Sequence, residues 1–367
     1  MNKKDIKWAI LRMGLWQRYE EINVSAIDWN QLLAWAKKQT LLGILFDGIM
    51  MLPAEQRPDE GTMMKLTMWM AKNRQTHIRL NHQAAKMMNI LAEHDIPSML
   101  LKGQGIAQEY LSPESRQCGD IDLYIGKDNY KKACDLAMGM EIADLNETIK
   151  HTDFKWEGVE IELHHKAVDL PSKKAEKYFE EWAMEILKHE TRSFIPQDET
   201  DSITLPSVQY NSIYIFIHML HHHLSTGVGL RQICDWMMVL HNGYGVIDLD
   251  LLKQQLNMAH LMEVWQLMGT ILVSYLGLPA NEMPFYNPDM LIKGEKLLGL
   301  VDEGGNFGRG VNKPRKEYIF VIHRKIDSLI IMIKKTLPML RICPSYTLYN
   351  FSYYFIHHIK LWVVDHK

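Results

Sequence analysis

The stretch ESRQCGDIDLYI, residues 114–125, decides the fold, because two acidic residues stand at the start of an alternating apolar run. In a strand, residues two apart point to the same face. Asp120 and Asp122 therefore share one face, while Ile121 and Leu123 fill the other. Such close carboxylates repel each other, and burying them is costly unless a positive charge lies between them. The pattern predicts a strand that offers two carboxylates to a hard divalent cation such as Mg²⁺.

The segment VEIELHH, residues 159–165, supplies candidates for a third carboxylate. Phosphoryl-type chemistry normally needs such a group to position one or two ions. Glu160 and Glu162 alternate with apolar residues and share the polar face of a predicted strand, and His164 lies on the same face as a candidate to support a ligand. If this strand lies beside the aspartate strand, one glutamate completes a metal triad, and the sequence leaves open which one.

A turn suited to phosphate precedes these motifs. In LLKGQG, residues 100–105, a short apolar strand runs into a glycine-containing turn and then a helix, where backbone N–H groups attract phosphate. Lys102 adds a positive charge, and Arg116 is suited to bind a phosphate through two parallel hydrogen bonds. A charged sheet edge that guards against aggregation is the alternative interpretation. The order of the three motifs favours a site for a metal and a nucleotide.

The segments around these motifs predict an α+β fold, with a small mixed sheet flanked by an N-terminal helical region and a C-terminal helical bundle. The turn residues Glu157 and Gly158 predict a hairpin. The predicted divisions are a helical region over 1–95, the α+β core over 96–172, a helical domain over 173–301, and a linker with a basic, aromatic helical segment over 302–367.

The charge is unevenly distributed along the 367 residues. The net charge of −3 does not indicate a nucleic-acid binder, but residues 313–367 carry a net charge of +7 and the preceding residues −10. The basic segment indicates an anionic partner, either a membrane surface or RNA. Ordinary helices with solvated lysines are the alternative.

The cysteines and the apolar runs predict a cytoplasmic protein. Peripheral binding to a membrane through the basic segment is the alternative. The four cysteines are widely spaced and form no CxxC pair, so neither a zinc ribbon nor a disulfide framework is indicated. The N-terminal apolar stretch is broken by Lys7, Arg12 and Arg18, which is typical of an amphipathic helix rather than a signal peptide. The sequence contains no run of 18 apolar residues, so no membrane-spanning helix is predicted.

Three segments carry a family resemblance: LLKGQGIAQEYLSPESRQCGDIDLYI, VEIELHHK and GVGLRQICDW. They resemble the nucleotidyltransferase superfamily, with its polymerase-beta-like fold, and most of all a bacterial subgroup described as uncharacterised nucleotidyltransferases. In the superfamily a Gly-Ser or Gly-Gly turn opens a helix, a D-x-D strand follows, and a third acid lies on a later strand. Two Mg²⁺ ions bind between these acids and a nucleoside triphosphate.

The resemblance assigns expected roles residue by residue. Gly103 matches the turn glycine, and Gln104 stands where Ser or Gly is usual. The third acid falls on Glu162, where Asp before Leu-His is common in the subgroup. The expected metal-binding and catalytic residues are Asp120, Asp122 and Glu162. The expected nucleotide-binding residues are Lys102, Gly103, Gln104, Arg116, Gly119 and Arg231. The residues expected to line the cleft or to support a metal-binding residue are Glu160, His164, His222 and Asp235.

The implied activity is the transfer of a nucleoside monophosphate from a nucleoside triphosphate to a hydroxyl group, with Mg²⁺ or Mn²⁺ as the cofactor. The acceptor is left open among a small molecule, a protein and an RNA. The alternative from another class is a non-catalytic nucleotide-binding or interaction module on the same fold. A zinc protease is not indicated, because Met219 follows His218 where an HExxH motif needs glutamate.

Overall fold

The computed structural model describes residues 3–140, 145–148, 150–197, 199–225, 228–305 and 337–350, without the side chains of 3–5 and 222–225. The contacts between Cα atoms divide it into two compact units. The first contains the described residues up to Val168 together with Tyr178–Ile215. The second contains Asp169–Lys177 and the described residues from Phe216 onward.

The first unit opens with helices, as the sequence predicts. Their bounds are α1 (Lys3–Trp16), α2 (Trp29–Gln39), α3 (Leu42–Met50) and α4 (Glu60–Glu93). Helices α1 and α3 pack backbone to backbone, because a Cβ on Gly14 would lie 1.8 Å from the carbonyl oxygen of Ile44, and one on Gly48 would lie 2.0 Å from that of Ile10. Glycine is therefore required at both positions for this close approach.

A five-stranded mixed sheet follows, in the order β1-β2-β5-β4-β3. The strands are β1 (Met99–Leu100), β2 (Ile121–Tyr124), β3 (Asn146–Glu147), β4 (His151–Trp156) and β5 (Val159–His164). Two helices connect them, α5 (Gln104–Ala107) and α6 (Gly126–Gly139). Strands β2 and β5 are parallel, and the other neighbours are antiparallel. The predicted α+β fold with a small mixed sheet is confirmed.

A two-residue turn joins β4 to β5 and fixes their register. Glu157 and Gly158 have φ angles of 47° and 80°, the pair of positive values that a tight hairpin turn of this kind requires. The Glu157 carboxylate accepts hydrogen bonds of 2.7 Å from Gln83 and from Lys86 on α4. The hairpin tip is thus held against the long helix.

The apolar face of the sheet forms the core of this unit. It contains Ile121 and Leu123 of β2, Ile161 and Leu163 of β5, and residues of α4 and α6. This burial leaves the opposite face of β2 and β5 for the polar residues of the same strands, as the alternation predicts.

A second, two-stranded sheet follows α7 (Lys173–His189) and consists of β6 (Arg192–Phe194) and β7 (Ile203–Leu205). Ile203 and Leu205 join the core of the larger sheet. This strand pair lies in a region where the sequence predicts only helices, because each strand has only three residues and no extended alternation.

The remaining helices are α8 (Val208–Ser225), α9 (Leu230–Asn242), α10 (Leu249–Met258), α11 (Met262–Ser274) and α12 (Leu291–Gly304), followed by helical turns over 337–342 and 344–350. In the second unit the rings of Phe216, Trp236 and Trp265 pack with centroids 4.6 to 4.8 Å apart. The helices that the structure describes include none long and apolar enough to cross a membrane. Residues 306–336 and 351–367, with most of the basic segment, lie outside the described residues.

Candidate functional site

The parallel pairing of β2 with β5 places two acids side by side. Asp122 and Glu162 are direct Cα partners in this ladder, and Asp120 precedes β2. Carboxylate oxygens of Asp120, Asp122 and Glu162 all lie within 4.8 Å of one another. Three hard oxygen donors in this arrangement suit a divalent cation such as Mg²⁺. Glu160 lies on the same strand but is exposed, and its Cα partner is Lys155 of β4.

Lys102 reaches this group from the end of β1. The Leu101 N–H donates a 3.0 Å hydrogen bond to the carbonyl oxygen of Asp122, which holds the two segments together. Nζ of Lys102 then lies 2.7 Å from Oδ1 of Asp122. Gly103 follows with a φ of +52°, and a Cβ there would lie 3.3 Å from the carbonyl oxygen of Asp120. The turn therefore requires glycine and runs close to the aspartate strand.

His164 connects the buried carboxylate of Asp122 with the partly buried carboxylate of Glu162. Its Nε2 lies 3.0 Å from Oδ1 of Asp122 and 3.0 Å from Oε2 of Glu162. Asp122 is 1% exposed, and its carboxylate contacts the Lys102 ammonium group as well as His164. The structure thus brings His164 and Lys102 to the acidic face.

The electrostatics of the group follow from burial and these contacts. Burial opposes the charged form of Lys102, but the Asp122 carboxylate outweighs it and raises the pKa of the ammonium group. Burial also opposes the charged form of Asp122, yet Lys102 and His164 hold the pKa of its carboxyl well below the usual range. Burial would lower the pKa of His164, but hydrogen bonds with Asp122 and Glu162 raise it. At Glu162 burial raises the pKa, and the hydrogen bond with His164 offsets this only in part.

His151 and Asp153 of β4 also lie next to this group, and they are not among the residues predicted from the sequence. His151 is the direct Cα partner of His164, and its Nδ1 lies 3.8 Å from Oε2 of Glu162. Burial, and then the charge of His164, lower the pKa of His151 to about 4, so its ring is neutral near pH 7. The signal is present in the sequence: counting outward from the two-residue turn pairs 151 with 164 and 153 with 162.

Gln104, Arg116 and Gly119, three of the predicted nucleotide contacts, differ in burial and in their contacts. The Gln104 side chain is fully buried, and its Oε1 and Nε2 have no hydrogen-bond partner among the described residues. Arg116 is also buried, and its Nη1 donates to Sγ of Cys118 at 3.0 Å. Gly119 is exposed, with nothing within 4 Å of where its Cβ would stand. Their roles toward a nucleotide stay predictions.

The predicted residues of the helical half lie on α8 and α9 of the second unit. Arg231 stands in the first turn of α9, and Asp235 follows four residues later and is buried. His222 lies on α8, and its side chain is outside the described residues. Their roles, too, stay predictions.

Comparison with known families decides the broader identity. A family described as uncharacterised nucleotidyltransferase matches residues 25–277 of the 367, a range that contains the whole carboxylate group. The chain belongs to this nucleotidyltransferase family. Comparison with curated proteins and with solved structures gave no match. Family membership together with the acidic group supports a nucleotidyltransferase and confirms the resemblance seen in the sequence.

Proposed function

We propose that the protein transfers a nucleoside monophosphate from a nucleoside triphosphate to an acceptor hydroxyl group, with Asp120, Asp122 and Glu162 as the ligands of Mg²⁺ or Mn²⁺. The observation that carries this proposal is the register that sets Asp122 beside Glu162 within reach of Asp120. When bound, the cation would neutralise negative charge on the triphosphate and on the leaving pyrophosphate.

The chain's own residues prepare the site for this charge. Lys102 supplies a positive charge at the end of β1, where a triphosphate would lie against the turn that Gly103 opens. Nε2 of His164 lies within hydrogen-bond distance of the carboxylates of both Asp122 and Glu162 and would hold them together while no divalent cation separates them. The acceptor class stays open among a small molecule, a protein and an RNA.

A non-catalytic nucleotide-binding or interaction module is the alternative function. The three convergent carboxylates favour the enzyme. They repel one another, and a module that only binds a nucleotide would not need this unfavourable arrangement. An anionic partner for the basic segment, a membrane surface or RNA, is a further proposal that rests on sequence alone.

Calorimetric titration tests the proposal. Each of the four nucleoside triphosphates is titrated with and without Mg²⁺ into the wild type, into Asp120→Asn, and into Asp135→Asn as a control. Asp135 is an exposed aspartate on α6, outside the carboxylate group. We expect Mg²⁺-dependent binding of at least one triphosphate, weakened at least about tenfold, or about 1.4 kcal/mol, in Asp120→Asn only.

Two results would change the conclusion. Failure of the folded wild type to bind any triphosphate with Mg²⁺ or Mn²⁺ would contradict the proposal. The second result is metal-dependent binding of a triphosphate with no release of pyrophosphate when small molecules, proteins or RNA are added as acceptors. It would favour the binding module.

A further inference from the structure

A second group of ligand atoms lies beside the carboxylates, on the hairpin. The register of β4 and β5 sets His151 opposite His164 and Asp153 opposite Glu162. Ligand atoms of His151, Glu162 and His164 all lie within 4.8 Å of one another. Two imidazole nitrogens and one carboxylate oxygen therefore converge on one point, which differs chemically from the all-oxygen group beside it.

The nitrogen of His151 that faces Glu162 lacks a hydrogen bond. Nδ1 of His151 is buried and has no hydrogen-bond partner in the described part of the chain. Its distance of 3.8 Å to Oε2 of Glu162 is too long for a hydrogen bond. An unsatisfied buried polar atom is costly, and a cation between this nitrogen and the carboxylate would satisfy both.

A second carboxylate lies near the other nitrogen of the same ring. Oδ1 of Asp153, the Cα partner of Glu162, lies 3.7 Å from Nε2 of His151. Nδ2 of Asn146 donates a 2.9 Å hydrogen bond to that oxygen and fixes its position. Metal-binding histidines commonly present their second nitrogen to a carboxylate that orients the ring.

We infer that His151, Glu162 and His164 form a second cation position, selective for a nitrogen-preferring divalent ion of the Zn²⁺, Co²⁺ and Ni²⁺ class. Imidazole ligands suit these ions, whereas Mg²⁺ prefers oxygen ligands. Three protein ligands leave a coordination position for water or an oxygen of a substrate. The inference concerns cation binding and stands whether or not the proposed nucleotidyl transfer is correct.

The two cation positions share Glu162 and differ in their other two residues. Asp120 belongs to the carboxylate group alone, and His151 belongs to the imidazole group alone. Substitution of each residue therefore removes a ligand from one position and leaves the ligand set of the other intact.

Co²⁺ titration of the full chain in excess Mg²⁺, followed by visible absorption, tests the inference without nucleotide and without an activity assay. We expect saturable Co²⁺ binding that Zn²⁺ displaces. His151→Ala should weaken it at least about tenfold, and Asp120→Asn should leave it within about threefold. The control is His189→Ala: His189 is 68% exposed, with Nε2 3.8 Å from Glu185 one helical turn away, and so represents an ordinary surface pair.

His151→Gln keeps a polar side chain of similar reach and serves if thermal unfolding shows that the alanine variant does not fold. Three results would overturn the inference. They are Co²⁺ binding that survives in the folded His151 variant, loss of Co²⁺ binding in Asp120→Asn, and abolition of Co²⁺ binding by excess Mg²⁺. A protein that binds Co²⁺ as expected but no Mg²⁺-triphosphate would instead retain this inference and contradict the proposed function.

Discussion

Nζ of Lys102 lies 2.7 Å from Oδ1 of Asp122, a carboxylate that is only 1% exposed. The contact joins the end of β1 to the middle of β2 and compensates a charge that would otherwise be buried alone. The acidic group is thus held together by residues of the chain before any divalent cation binds.

Removing the positive charge should destabilise the fold. We expect Lys102→Met to lower the free energy of unfolding by roughly 3 kcal/mol, because it leaves the buried Asp122 with His164 as its remaining partner. Urea denaturation measures the loss, and Mg²⁺ should restore part of it by replacing the charge. The control is Lys131→Met on the exposed face of α6. Equal unfolding free energies for the two variants would contradict the account.

The two glycines that flank the site should respond differently to alanine. Gly103 has φ and ψ of 52° and −119°, a conformation that side chains disfavour, and we expect Gly103→Ala to cost about 1–3 kcal/mol of stability. Gly119 has open space around its Cβ position, so Gly119→Ala should change stability by less than about 0.5 kcal/mol. Thermal unfolding compares the pair, and a Gly103→Ala variant as stable as the wild type would show that the turn tolerates a side chain.

The Asp47 carboxyl on α3, outside the candidate site, should make the free energy of unfolding depend on pH. Burial, opposed by a hydrogen bond from Ser115 and aided by the charge of Glu114, raises the pKa of Asp47 to about 6. The folded state then binds a proton that the unfolded state has lost, so this contribution to stability is present below about pH 4 and disappears as the pH rises through 6.

Asp47→Asn should remove that dependence, because the amide keeps an acceptor for the Ser115 hydroxyl but does not ionise. Urea unfolding of both proteins from pH 4 to pH 7 should show the wild type losing on the order of 2 kcal/mol relative to the variant. Parallel curves across this range would mean that Asp47 ionises with its ordinary pKa.

Local patterns predict the strands that carry the carboxylates. The alternation around Asp120 and Asp122 and the turn at Glu157 and Gly158 correspond to β2 and to the β4–β5 hairpin. Carrying the hairpin register outward would also have revealed His151, since a two-residue turn fixes every pair in the ladder.

Other features depend on tertiary packing that no local pattern encodes. The parallel pairing of β2 with β5 joins strands separated by α6, β3 and β4, and it sets Glu162 rather than Glu160 beside Asp122. The sequence predicts Arg116 as a phosphate contact because a guanidinium can bind a phosphate through two hydrogen bonds, but it does not show that the fold buries this residue and that Nη1 donates to Sγ of Cys118. Its role toward a nucleotide stays a prediction.

Paired glutamate substitutions test most directly whether the β2–β5 register makes Glu162 the third ligand. Glu160 and Glu162 lie two residues apart on the same strand, so Glu160→Gln is the matched control for Glu162→Gln. Calorimetric titration of Mg²⁺ with the preferred triphosphate should show at least about tenfold weaker binding in Glu162→Gln and unchanged binding in Glu160→Gln. Weaker binding in Glu160→Gln alone, or unchanged binding in both folded variants, would contradict the claim.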